Sequence, residues 1–314
     1  MKTKVFIDGS AGTTGLQIYE RMAKRGDIEL LTIDEEKRKD AEARKEMINA
    51  SDITFLCLPD AAAIEAVALA GDKVRIIDAS TAHRTNDAWA YGFPELSDDH
   101  RAKIASSNRV ANPGCYASGF ISLVYPLVKA GVLPEDYPLT AHAVSGYSGA
   151  GKKMIAQIEG PDKTKEMCSP RQYALAQHHK HLPEMQKICG LKYAPMFNPI
   201  VDDYYAGMVV SVPLVTRALS KKYTPKDIHD ILSAHYEGQR FVKVMELGGE
   251  TTLPDGFLAA NTLEGTNDMQ LFVFGNDEQI LIASRLDNLG KGASGAAIQN
   301  MNIMLGIDEA TGLV

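Results

Sequence analysis

Within Asn112-Pro113-Gly114-Cys115-Tyr116-Ala117-Ser118-Gly119, Cys115 is the residue best placed to form a covalent bond. It follows a Pro-Gly turn and precedes an apolar run from Phe120 to Val128, so it is expected at or near a helix N-terminus. Unpaired backbone N–H groups and the helix dipole favour the thiolate over the thiol there. Such a thiolate attacks an acyl carbon and carries the acyl group as a thioester. Cys57, Cys168 and Cys189 have no comparable setting and are expected to be buried, inert thiols.

A nucleophile of this kind needs an acid/base partner, donors for an oxyanion and, for an anionic substrate, cations. Gln177-His178-His179-Lys180-His181-Leu182-Pro183-Glu184 is the densest polar cluster. Pro183 has no N–H to offer the carbonyl of His179, so the chain kinks or starts a helix there, and a histidine at that point can face a cleft. His179 or His181 is the expected acid/base, with His178 the least favoured. A metal site is the competing reading. His179 and His181 share a face only on a strand, however, and no distant Cys/His pair at ligand spacing joins Glu184.

Two further loops are suited to ligands. Ser145-Gly146-Tyr147-Ser148-Gly149-Ala150-Gly151-Lys152-Lys153 follows an expected strand, ends in a basic pair and offers backbone N–H groups and hydroxyls to an anion or a carbonyl. Asp78-Ala79-Ser80-Thr81-Ala82-His83-Arg84 follows the fourth expected strand at its carboxyl end, where open α/β sheets bind ligands. Arg84 and Arg217 are the arginines chosen to clamp phosphate or carboxylate.

Near the N-terminus, Gly9-Ser10-Ala11-Gly12-Thr13-Thr14-Gly15 lies between an expected strand and an expected helix. Its glycines permit a tight turn and close approach, and the helix N-terminus faces a pyrophosphate. The second strand is expected to end at Asp34, 25 residues after Gly9. An acidic residue there grips the ribose 2′-hydroxyl of NAD, whereas Lys37 and Arg38 just beyond suit the extra phosphate of NADP, toward which the basic pair leans.

The elements that must position these groups divide in two. Up to Asp78, short apolar runs (Val5–Asp8, Glu29–Ile33, Ile53–Leu58, Val74–Asp78) alternate with helical patterns (Leu16–Lys24, a charge-laced Glu35–Ile48, Ala61–Ala70). That alternation predicts a doubly wound parallel sheet. After the cysteine, expected strands at Leu139–Val144, Met208–Val215, Gln239–Met245, Gln270–Gly275 and Gln279–Ser284 point to a mixed, largely antiparallel α+β half. The last two are spaced as a hairpin. Leu289–Leu305 closes the chain as a helix.

With 314 residues, 45% hydrophobic and 23% charged, the chain suits a soluble enzyme of two domains. A net charge of −7 offers no basic excess for nucleic acid. Four cysteines without a paired spacing give no disulfide framework. With no signal-like start and no apolar run long enough to span a bilayer, a cytoplasmic location without membrane partners is expected.

Five stretches together resemble the N-acetyl-γ-glutamyl-phosphate reductases, in particular their shorter class, relatives of aspartate-semialdehyde dehydrogenase. They are Gly9–Gly15, Ile77–Arg84 with Trp89–Leu96, Asn112–Ser118, His179–Glu184 and Asp287–Gly295. The resemblance implies a Rossmann-type dinucleotide-binding domain of residues 1–112 and 287–314, completed by the closing helix, and a catalytic and subunit-contact domain of residues 113–286. It implies NADP(H)-dependent reduction of an acyl phosphate, Cys115 as nucleophile and the His-x-His stretch as acid/base. Ser80 and Asn288 would face the dinucleotide. Arg84, Asn112, Ser145, Gly146, Ser148, Glu184 and Arg217 would line the substrate pocket, in a homo-oligomer (dimer or tetramer). A dehydrogenase of another semialdehyde and a dinucleotide sensor without catalysis are the competing functions.

Overall fold

Strand β1 (Thr3–Asp8) opens the chain in a computed structural model that describes residues 2–313. There follow α1 (Thr13–Ala23), β2 (Ile28–Leu31), α2 (Ala41–Ala50), β3 (Ile53–Leu56), α3 (Asp60–Leu69), β4 (Arg75–Asp78), β5 (Ala90–Tyr91), α4 (Asp98–Ser106) and β6 (Arg109–Ala111). The strands make one parallel sheet in the order β2-β1-β3-β4-β6-β5. All four β3 residues are buried, as a central parallel strand covered on both faces requires. Phe6, Leu56 and Ile76 of the sheet pack with Ile48, Ala63 and Ala66 of α2 and α3. These elements form one compact unit, Met1–Gly114 with Ala293–Val314. The closing helix Gly295–Leu305 is bound into it: Asn300 donates to the Gly92 carbonyl at 2.9 Å, and Arg75 donates to the Met304 carbonyl at 2.6 Å.

Two expectations are corrected here. The charged segment is not one helix from Glu35 to Ile48. A single 3₁₀ turn, Glu35–Lys37, precedes α2, because Asp40 caps the new helix by accepting from the Ala43 N–H at 2.8 Å. The second strand ends at Leu31, so Asp34 sits in the connection beyond it.

The second compact unit is Cys115–Gly292. It holds α5 (Cys115–Lys129), β7 (Thr140–Gly146), α6 (Lys152–Glu159), β8 (Arg171–Gln172), α7 (Leu182–Cys189), β9 (Met196–Asp202), β10 (Met208–Val215), α8 (Pro225–His235), β11 (Val242–Val244), β12 (Met269–Gly275) and β13 (Gln279–Leu286). Its sheet runs β11-β12-β13-β10-β7-β9-β8, parallel only at β11/β12 and β7/β9. The expected hairpin is β12 against β13. Helix α5 is buried from Tyr116 to Leu127. At Gly119 a side chain would come within 2.6 Å of Val210 and 2.8 Å of Ser284, so the helix lies directly on β10 and β13.

Candidate active site

Cys115 is the first residue of α5, a fifteen-residue helix that places its N-terminal N–H groups beside the half-buried sulfur. It lines a cavity of about 540 Å³ together with Tyr116, Ser145, Gly146, Arg171, Tyr173, His179 and Lys180. Ser145 and Gly146 come from the end of β7, and Arg171 from β8. No Asp or Glu lines this cavity among the described residues, so its two cations give it a positive wall. Beneath the nucleophile the loop after β13 passes very close: a Cβ on Gly292 would stand 2.7 Å from that of Cys115.

The two histidines differ. The His179 ring packs edge-on against Phe197 (5.0 Å), His181 (4.8 Å) and Tyr116 (5.8 Å). Burial, then the charge of Lys180, pushes its pKa down to about 4, so it is neutral near pH 7. Its Nδ1 accepts from the His181 backbone N–H at 3.2 Å, which leaves the proton on Nε2. His181 is 4% exposed and stands at the N-terminus of α7, its ring 5.9 Å from that of Tyr116. Tyr116 accepts from the Tyr173 hydroxyl at 3.2 Å. Its own ionisation is pushed well up by burial, then by Tyr173 and Cys115, so it stays a neutral phenol.

The segment between β8 and α7 is held out of ordinary geometry. Ala174 and Gln177 have φ of 53° and 57°, a region costly for residues with a Cβ. The Gln177 amide offsets this by bonding both ways to Phe197, donating to its carbonyl and accepting from its N–H, each at 2.9 Å. Tyr173 and His179 thereby face the cavity.

The other expected site residues are held by contacts within their own units. Asn288 receives the Gly207 N–H and donates to Ser148, both at 2.8 Å, clasping two loops of the second unit. Glu184 is buried on α7 and does not line the cavity. Arg217 is exposed just past Val215, while Met208 at the other end of β10 pairs with Ser145. At about 3.3 Å per residue, that strand separates it from the cavity end by more than 20 Å within the unit. In the first unit, Arg84 donates to the carbonyls of Asn112 and Ala79, each at 2.9 Å, and Asn112 donates to the Ala293 carbonyl at 2.9 Å. Both tie loops of the sheet together. Arg171, Tyr173 and Lys180 were missed in the sequence, since β8 has two residues and carries no readable period.

The remaining cysteines divide. The thiol of Cys57, just past β3, is pushed up to about 12 by burial, then by Asp78 and Asp8; burial raises Cys189 well above the ordinary range. Cys57 and Cys168 correct the expectation of buried thiols: Cys57 is half-buried, and Cys168 is exposed in a 3₁₀ turn at the surface.

In the first unit, a cleft of about 190 Å³ lies at the carboxyl ends of the strands, lined by Gly12, Thr13, Thr14, Gly15, Cys57, Leu58 and Ala79. Gly9 has φ of 90°, and a Cβ on it would sit 2.3 Å from the Cys57 carbonyl oxygen. No side chain caps α1, so its first N–H groups are open to an anion. Ser10 and Ala11 form the exposed tip of the turn, and Ser80 donates to Asp78 at 2.7 Å. Lys37 and Arg38 are exposed, and Arg38 pairs with Glu35 at 2.9 Å.

Residues 115–288 match the semialdehyde dehydrogenase dimerisation domain, and residues 31–104 the semialdehyde dehydrogenase NAD-binding domain. N-acetyl-γ-glutamyl-phosphate reductase 2 of Nostoc sp. is 48% identical over 99% of both chains. N-acetyl-γ-glutamyl-phosphate reductase of Rhizobium johnstonii is 50% identical over 97% of this chain and 99% of its own. The chain belongs to the N-acetyl-γ-glutamyl-phosphate reductase family. Solved structures of aspartate semialdehyde dehydrogenases share the fold of this family member. The enzyme II of Vibrio cholerae, complexed with ASA, has a TM-score of 0.71 at 15% identity, covering 98% of this chain and 99% of its own. That of Francisella tularensis has 0.72 at 16%, covering 96% and 100%. A nicotinamide dinucleotide is the cofactor of this family member, and a small molecule its substrate. Among the described residues no helix is long and apolar enough to cross a membrane, and no group of three His, Cys, Asp or Glu is arranged for a metal.

Proposed function

We propose that this chain reduces N-acetyl-γ-glutamyl phosphate to N-acetylglutamate 5-semialdehyde with release of phosphate, a step of arginine biosynthesis, through a thioester on Cys115 and with NADPH as reductant. The observation that carries the reading is Cys115 at the head of α5, inside a positive cavity, in a chain 48–50% identical to reductases of that substrate.

The unit Met1–Gly114 with Ala293–Val314 is read as the dinucleotide-binding domain, and Cys115–Gly292 as the catalytic and subunit-contact domain. The glycine loop fits a pyrophosphate: Gly9 and Gly15 leave no room for side chains, and α1 is uncapped. Gly9–Gly15 and Ser80 would hold the dinucleotide, with Lys37 and Arg38 at the 2′-phosphate of the NADP form. When bound, it supplies the hydride that reduces the thioester.

The chain's own residues do the rest. The Cys115 sulfur attacks the acyl carbon, the N–H groups at the start of α5 hold the oxyanion, and phosphate leaves. His181 takes the thiol proton and returns it to the sulfur when the oxyanion that reduction leaves on the sulfur-bound carbon collapses to the aldehyde. His179 is too weak a base for this, with its pKa near 4 and Nδ1 occupied, and serves as an Nε2–H donor to the bound substrate. A reducing cytoplasm keeps Cys115 a thiol, and a homodimer or homotetramer is the assembly.

The test is the reverse assay, with phosphate, NADP and N-acetylglutamate 5-semialdehyde set against aspartate semialdehyde. Turnover of the acetylated aldehyde, lost in Cys115→Ser with NADP still bound, is expected. Preference for aspartate semialdehyde overturns the substrate, and retained activity in the variant overturns the thioester.

A further inference from the structure

The cavity beside Cys115 has one polar group that its surroundings do not explain. Arg171 is half-buried, but its Nε is fully buried and has no hydrogen-bond partner among the described residues. A buried N–H donor without a partner is costly, and at a cavity wall a bound anion removes that cost.

The sheet fixes where this cation stands. Ser145 of β7 pairs with Val201 of β9, and Val201 pairs with Arg171 of β8. Residues directly opposite each other point to the same face, and all three line the cavity. Arg171 is therefore two strands, about 10 Å along the backbone row, from Ser145. Ser145, at the end of β7, lines the cavity with Cys115 and Tyr116.

An acyl phosphate of N-acetylglutamate carries two anions. Its phosphate is bonded to the carbon that Cys115 attacks, so it lies beside the head of α5. Its α-carboxylate is four bonds away, about 5 Å when extended. The cation two strands from Ser145 matches the remote anion and not the leaving group. From this we infer that Arg171 pairs with the α-carboxylate of the substrate and sets the specificity of the cavity for an amino-acid-derived acyl phosphate. Fork geometry suits a carboxylate, so lysine restores the charge without the bidentate pair. This inference rests on the proposed reduction at Cys115, and Arg217 of the same unit does not line that cavity.

The test compares two aldehydes in the reverse reaction: N-acetylglutamate 5-semialdehyde and 4-acetamidobutanal, which is the same molecule without its carboxylate. In the wild type the first is favoured in kcat/KM by about 100-fold, the size of one charge-assisted hydrogen-bonded pair. In Arg171→Ala the preference falls to within a few-fold, through KM for the acetylated amino-acid aldehyde. The rate with 4-acetamidobutanal, the KM for inorganic phosphate and the melting temperature hold. Arg171→Lys is intermediate. A preserved preference in Arg171→Ala overturns the assignment, as does a rise confined to the KM for phosphate. Loss of both aldehydes at equal ratio makes the residue structural and also overturns it. A wild type that turns over neither aldehyde removes the proposed function itself, and this inference with it.

Discussion

The glycine loop of the first unit and the cysteine cavity of the second are built in opposite ways. The loop is one continuous segment, Gly9–Gly15, set between β1 and α1, and what it offers a ligand is the uncapped backbone N–H groups at the head of α1. The cavity gathers Cys115 from α5, Ser145 from β7, Arg171 from β8 and His179 from the strained segment before α7. A backbone site is therefore sensitive to added atoms, whereas a side-chain site is sensitive to removed ones.

The sharpest separation comes from Cys115→Ser. It lowers kcat by at least about 10³-fold while NADP titration is unchanged, because a serine hydroxyl is far from ionised at neutral pH. Parallel loss of NADP binding would show that the two sites are one cooperative structure. Next in size, His181→Asn costs about 10²–10⁴ in kcat/KM, the range of a general acid/base, while His179→Asn costs markedly less. The reverse ranking in steady-state assays would transfer the proton to His179.

Adding one methyl group probes the backbone site. Gly9→Ala places a Cβ 2.3 Å from the Cys57 carbonyl oxygen at a φ of 90°, so β1, β3 or the turn must shift. A loss of about 2–4 kcal/mol in urea unfolding, with weakened NADP binding, is expected. In the second unit the same change, Gly292→Ala, presses on Cys115 Cβ from 2.7 Å. It lowers kcat by about 10–100-fold through misplacement of the sulfur and leaves NADP affinity intact. Were it to lower that affinity instead, the contrast would collapse.

The smallest effect is a pH dependence of stability. His179 titrates near 4 in the folded chain and near 6.5 when unfolded. The unfolded state therefore binds more protons between those values, so stability falls as pH drops from about 6.5 to about 4 and levels off below. His179→Asn flattens that limb in melting curves taken across the window. An unchanged slope would mean that His179 is solvated.

Legibility followed the same division. Up to Asp78, loop, strand and helix in the first unit could be read from Gly9–Gly15 and the alternating apolar runs, because each signal is local. Asp40 and the early end of β2 are exceptions there, the first because its cap split a segment whose charges read as one helix, and β5, α4 and β6 beyond Asp78 were not read. In the second unit, Met208–Val215 and the β12/β13 hairpin were legible from alternation and turn spacing. β8 and the orientation of the Arg171–His181 segment were not, since two strand residues and two positive-φ residues leave no periodic trace.

The sequence by itself determined the chemistry available: a cysteine at a Pro-Gly helix start, a His-x-His cluster closed by a proline and a glycine loop opening the chain. Covalent geometry and local backbone preference are enough for those. Tertiary structure alone decided which cations of the second unit line its cavity. Arg84 and Arg217 have the right chemistry, but one is spent on carbonyls of its own unit and the other lies at the wrong end of β10. Arg171 reaches the cavity through strand register, Ser145 to Val201 to Arg171, and register is set by pairing between segments distant in the chain.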